Sequence, residues 1–135
     1  MEVVFLDANV LFSAAYRPDS GLRRLWRLSG VRLITSVYVV EEALRNLDSA
    51  SQRADLEELL RSVDVVPFAP AERRLPAHLK VAEKDRPILL AAIDAGASYL
   101  LTGDSKHFGQ YYDRLVSGVR ILRPAVYLRR KKKSK

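Results

Sequence analysis

The chain has 135 residues, 48% hydrophobic and 29% charged, which fits one globular domain large enough to bury its own core. It has no cysteine, so disulfides, thiolate zinc sites and a cysteine nucleophile are excluded, and its two histidines, His78 and His107, are too few for a His-rich metal site. No segment approaches the apolar length that spans a bilayer, and the apolar start Met1–Tyr16 carries Glu2 and Asp7 without a basic leader, so no membrane association and a cytoplasmic location are expected.

In chain order, Val3-Val4-Phe5-Leu6 is a continuous apolar run of strand-forming residues, the pattern of a strand buried on both faces of a parallel sheet. Asp7 ends it abruptly. Arg17-Pro18-Asp19-Ser20-Gly21 is a turn-rich loop. Leu22, Leu25, Trp26 and Leu28 follow at near-helical spacing and stop at Gly30; Trp26 is expected in the core or at a dimer contact. Val31–Thr35 forms a second strand, and Ser36 is placed to cap a helix through Leu47 with Val39, Val40, Ala43, Leu44 and Leu47 on its apolar stripe. A further helix covers about 50–61. Val63–Phe68 forms a third strand, and Pro67 assigns it to a sheet edge.

Residues 70–84 are irregular, and His78 within them is expected to be exposed. Asp85-Arg86-Pro87 opens a helix that Gly96 ends, with Asp85 able to cap its free N–H groups. Ser98–Leu101 is a fourth strand, leading into Thr102-Gly103-Asp104 and a helical turn near 105–108. Val119–Leu122 is a fifth strand, and 124–128 a last helical turn. Strands alternate with helices throughout, which predicts a single α/β domain with a mostly parallel sheet.

The net charge of +7 sits mostly at the end of the chain. Arg129, Arg130, Lys131, Lys132, Lys133 and Lys135 hold six of the 23 basic residues, leaving 17 against 16 acidic ones. Residues 129–135 therefore read as a basic, disordered tail, suited either to solvent or to phosphate contacts through counterion release.

Ligands of open parallel sheets bind beyond the carboxyl ends of the strands. Asp7 follows the first strand, Asp104 follows the fourth, Asp85 starts the helix that leads into the fourth, and Glu41 and Glu42 lie in the second turn of the helix after the second strand. Singly, each has a plain explanation as a turn residue, a helix cap or a solvated helix face. As a set they carry chemistry. Carboxylates gathered without basic partners repel one another and raise one another's pKa, which is costly unless a cation fills the cluster. Hard oxygen donors select Mg²⁺, Mn²⁺ or Ca²⁺. Two such ions about 4 Å apart suit in-line hydrolysis of a phosphodiester. The nucleophile elbow, the phosphate-binding Walker loop and the dinucleotide glycine fingerprint are all absent.

These residues resemble the motifs of PIN domains. Leu6-Asp7-Ala8-Asn9-Val10-Leu11 is similar to the family's opening signature. Ile34-Thr35-Ser36 with Val40-Glu41-Glu42-Ala43-Leu44 resembles the second acidic motif. Asp85-Arg86-Pro87-Ile88-Leu89 with Ala91-Ala92 resembles the third, and Leu100-Leu101-Thr102-Gly103-Asp104 with His107-Phe108 the fourth. The resemblance runs from residue 6 to 108 in the family's order.

It implies a three-layer α/β/α, Rossmann-like fold over residues 1–128 around a central, mostly parallel five-stranded sheet. It implies Mg²⁺- or Mn²⁺-dependent cleavage of RNA, with Asp7, Glu42, Asp85 and Asp104 as the catalytic and metal-binding quartet. Glu42 is preferred to Glu41 because it lies six residues after Ser36. Asn9, Ser36 and Thr102 would orient carboxylates, water or phosphate. Many members resemble VapC toxins of toxin–antitoxin pairs and commonly form homodimers, so an antitoxin and a second copy of the chain are expected as partners. His107 is expected to play a structural part. Three other functions compete: a catalytically inactive RNA- or partner-binding module, an RNA-processing nuclease outside any toxin–antitoxin pair, and an aspartate phosphatase. The first loses acidic positions, all of which are filled here. The last needs an aspartate two residues after its nucleophile, where Asn9 stands.

Overall fold

The computed structural model describes residues 1–67, 75 and 79–133. One sheet of six strands organises the chain: β1 (Glu2–Leu6), β2 (Val31–Ser36), β3 (Asp64–Val66), β4 (Tyr99–Leu101), β5 (Leu115–Val116) and β6 (Val119–Leu122). Their order across the sheet is β3-β2-β1-β4-β6-β5. All pairings are parallel except β5 with β6. The five strands expected become six because Leu115–Val116 folds back on β6 through a turn at Ser117 and Gly118, both with positive φ. Two residues are too short a run to carry a strand periodicity of their own.

The helices are α1 (Ala8–Tyr16), α2 (Val37–Asn46), α3 (Ala50–Leu60), α4 (Arg86–Asp94), α5 (Ser105–Phe108) and α6 (Pro124–Lys133). Helix α1 packs against α2 and α3, and α4 against β2 and β4. Central strand β1 lies between β2 and β4, and its Val4, Phe5 and Leu6 are fully buried, as a continuous apolar run requires. Leu100, Leu101, Ile121 and Phe108 continue the same core. Strand β3 lies at the edge, consistent with Pro67 just beyond it. Trp26 packs against the core, and its indole N–H donates to the Leu59 carbonyl at 2.9 Å.

Three local readings change. Residues 8–16, where the sequence pattern predicts no element, form α1, capped by Asp7. Ala8, Val10, Leu11, Ala14 and Ala15 are all buried, so the helix is apolar around most of its circumference and shows little amphipathic period. Helix α6 continues to Lys133, so residues 129–133, read as a disordered tail, are helical. Asp85, read as a cap, makes no capping hydrogen bond; it has αR backbone angles at the end of a short 3₁₀ turn, Glu83–Asp85. His78 and the segment around it lie outside the described residues, apart from residues 75 and 79–84.

Candidate metal centre

Register builds the site. Leu6 pairs with Leu101, and Leu101 with Leu122, so β1, β4 and β6 end level with one another. The Asp7 N–H continues the ladder to the Leu101 carbonyl at 3.1 Å, and the Thr102 N–H to Leu122 at 3.0 Å. Residues 7 and 102–104 therefore emerge side by side at the carboxyl edge of the sheet.

A cavity of about 520 Å³ opens there, lined by Asp7, Asn9, Glu42, Lys84, Asp85 and Asp104 among others. Each of the four expected carboxylates reaches it from a different element: the end of β1, the second turn of α2, the start of α4 and the loop after β4. Glu42 lines the cavity, whereas neighbouring Glu41 is exposed. Among the described residues, no Lys or Arg forms an ion pair with any of the four.

Asp7 is buried and densely tied. Its Oδ1 accepts the Ala8 N–H at 2.7 Å, capping α1. Its Oδ2 accepts the Thr102 hydroxyl at 2.8 Å and the Asn9 amide at 3.3 Å. Thr102 Oγ1 in turn accepts from Asn9 Nδ2 at 3.2 Å and from the Asp104 N–H at 3.1 Å. Asn9 Oδ1 accepts the Gly103 N–H at 2.7 Å. Asn9 and Thr102 thus lock the start of α1 to the loop after β4: the Asn9 amide N–H groups donate, its Oδ1 accepts, and the Thr102 hydroxyl donates once and accepts twice. A Cβ at Gly103 would lie 3.2 Å from Asn9 Oδ1, so glycine suits this close approach.

Ser36 takes a different place. It is buried and caps α2 by accepting the Val39 N–H at 3.3 Å. It fixes the helix that carries Glu42 and is not among the residues lining the cavity.

The electrostatics are those of carboxylates short of cations. Burial pushes Asp7 up to about 6 from 3.8, with Glu42 and Asp85 adding to the rise against the hydrogen bonds from Thr102 and Ala8. Burial likewise raises Asp85, although His107 and Lys84 oppose it. Asp104 moves the other way: burial would raise it, but the His107 side chain and backbone N–H outweigh burial and hold it below the ordinary carboxylate value.

Asp85 Oδ2 is buried and has no hydrogen-bond partner. A buried carboxylate oxygen left unpaired is costly and marks a place where a ligand belongs. Hard oxygen donors around such an atom fit a divalent cation. His107, expected to play a structural part, also reaches this group. His107 Nδ1 lies 2.5 Å from Asp104 Oδ2 and 3.5 Å from Asp85 Oδ2, and these three side chains can present ligand atoms within 4.8 Å of one another. Asp7 and Glu42 stand outside that trio on the wall of the same cavity. The available signal was the three-residue spacing of Asp104 and His107, which places both on one face of a helical turn.

The model of the PIN domain family matches residues 4–113. The chain belongs to the PIN domain family. Solved structures share its fold at low identity. VapBC2 from Rickettsia felis, solved with a DNA fragment from its promoter, superimposes with a TM-score of 0.64 at 15% identity, covering 90% of this chain and 98% of that one. VapBC-1 from nontypeable Haemophilus influenzae gives 0.57 at 16%, covering 91% and 98%. VapC20 of Mycobacterium tuberculosis, described as a Sarcin-Ricin loop cleaving toxin, gives 0.53 at 16%, covering 76% and 92%. Among curated proteins, none matches the chain in sequence. Among the described residues, no helix of this PIN domain is long and apolar enough to cross a membrane.

Proposed function

We propose that this PIN domain is a metal-dependent endoribonuclease and the toxin of a toxin–antitoxin pair. One observation carries the reading: four carboxylates from four separate elements line one cavity, and the buried Asp85 Oδ2 among them accepts no hydrogen bond. A structural cluster of this kind would be paired with arginine or lysine, or would be absent, because uncompensated buried charge destabilises a fold.

When bound, Mg²⁺ or Mn²⁺ would supply Lewis acidity, acidifying water and stabilising negative charge on the phosphate. The chain supplies the rest. Asp7, Glu42, Asp85 and Asp104 are the residues that would hold the ion. Thr102 and Asn9 keep Asp7 in one orientation, so no reorganisation is needed on binding. At neutral pH Asp7 is mostly ionised and ready to bind a cation. Lys84 at the rim offers a cation to the RNA backbone. The toxin role draws support from the solved relatives named VapBC and from the sarcin-ricin cleaving toxin that share the fold. It would give the chain an antitoxin as its protein partner.

The test is an RNA-cleavage assay with Mn²⁺ or with EDTA, run beside Asp7→Asn. Cleavage only with metal, lost in the variant, is the expected result. Cleavage that persists in EDTA and in Asp7→Asn would refute the assignment.

A further inference from the structure

Asp104 and His107 form a unit of their own. Asp104 caps the short helix α5 by accepting the His107 N–H through Oδ1 at 3.2 Å. Its Oδ2 meets Nδ1 of the same histidine at 2.5 Å. The loop after β4 thus presents a carboxylate and an imidazole nitrogen together. Across the gap stands Asp85, with its side chain 6% exposed and Oδ2 without a hydrogen bond. The same Nδ1 lies 3.5 Å from that oxygen, too far for a hydrogen bond. His107 Nδ1 therefore lies close to both carboxylates, and the three side chains can present ligand atoms to one ion.

We propose that His107 Nδ1 is a direct metal ligand, completing with Asp85 and Asp104 a mixed nitrogen–oxygen site that favours Mn²⁺ over Mg²⁺. The proposal rests on the metal-dependent reading above and goes beyond its all-carboxylate quartet. Its chemistry follows from the donors. Mg²⁺ takes oxygen ligands almost exclusively and keeps several of its waters, whereas imidazole suits the first-row transition metals. A site that holds a ring nitrogen in place discriminates between them.

The alternative role for His107 is that of a built-in cation, filling the gap until the metal displaces it. The two roles make opposite predictions for His107→Gln. Loss of a ligand weakens Mn²⁺ binding by about tenfold or more, the lower end of what even supporting residues of metal sites contribute. It leaves Mg²⁺ binding little changed. Loss of a competing cation tightens both.

The decisive measurement is pulsed electron paramagnetic resonance of Mn²⁺ added to the intact protein, with Kd values for Mn²⁺ and Mg²⁺ from titration. Nitrogen-14 modulation in the wild type that disappears in His107→Gln, with weaker Mn²⁺ binding, is the predicted result. His107→Asp should restore tight binding without the nitrogen signal and bring the two ions closer in affinity. Mn²⁺ that binds the wild type without nitrogen coupling, or more tightly in His107→Gln, overturns the proposal and leaves the nuclease reading standing. A wild type that binds no Mn²⁺ at all overturns both.

Discussion

Two acids bracket the same strand and live in opposite environments. Glu2 opens β1 and Asp7 follows its last residue. Glu2 is met by Lys131 Nζ at 2.8 Å and by the Tyr127 hydroxyl, both from α6. Burial works to raise its pKa, but those two partners outweigh burial and hold it below the ordinary value. Among the described residues Asp7 has no basic partner; burial raises it, with Glu42 and Asp85 adding to the rise. The amino end of the sheet is built like an ordinary protein surface, with acid matched to base. At the carboxyl end Asp7 and Asp85 are raised, and only Asp104 of the acids there is held down, by His107. Separate basic residues exist at the first end: Arg24, Arg27, Lys131 and Lys132 line a groove of about 420 Å³ between the 21–27 turn and α6. The mismatch at the other end is therefore local, and it is what a cation site requires.

That contrast can be broken from either side. The largest expected effect is on turnover: Asp7→Asn should lower RNA cleavage by about 10²–10³-fold or more, the scale of removing one preorganised electrostatic group from an active site. Single-turnover assays in saturating Mn²⁺ measure it. Full activity would place Asp7 outside the chemistry.

The same variant should stabilise the metal-free protein. The folded pKa of Asp7, about 6, stands above its ordinary 3.8. Below the ordinary value both states are protonated and the group costs nothing. As pH rises through this window the unfolded chain ionises first, so wild-type stability falls and the full penalty stands above about pH 6. At 1.36 kcal/mol per pKa unit, Asp7→Asn should gain up to about 3 kcal/mol at pH 7 in EDTA, with no gain near pH 3. Urea denaturation at the two pH values measures it, and a gain that does not depend on pH would remove titration as the cause.

Gly103→Ala comes next. Its new Cβ would press on Asn9 Oδ1 at 3.2 Å, so a loss of about 1 kcal/mol is expected together with reduced activity, because Asn9 holds Asp7 and Thr102. A stable and fully active variant would show that the Asn9 brace is dispensable. The smallest effect lies at the paired end. Lys131→Met should cost under about 1 kcal/mol, less still in high salt, because the pair is partly exposed. Because the pKa of Glu2 is depressed, its contribution stands above pH 4.5 and fades as pH falls below it. A larger loss would mean that this end also carries unusual electrostatics.

Much of the carboxyl end was legible in sequence because its logic is positional. A parallel sheet delivers whatever follows Leu6 and Leu101 to one edge; the preference for Glu42 over Glu41 came instead from the resemblance to the family's second acidic motif. Capping was harder to read. Asp7 does cap α1, but it does so while keeping Oδ2 for the site, and an all-round apolar helix hides its own period. Asp85 has the sequence context of a cap, yet its αR backbone turns the carboxyl away from the helix N–H groups. No local rule predicts that, since it depends on how the 83–85 turn packs. His107 depended on a distance across space to Asp85, which spacing along the chain does not contain.

The most direct test of the uncompensated cluster is thermal unfolding with and without Mn²⁺, in the wild type and in Asp85→Asn. A cation that fills the cavity must stabilise the fold by mass action, so the wild-type Tm should rise with Mn²⁺ concentration and that of Asp85→Asn should barely move. A wild-type Tm indifferent to Mn²⁺ would contradict the account, because four acids that no Lys or Arg pairs with among the described residues would then share one cavity with nothing to hold.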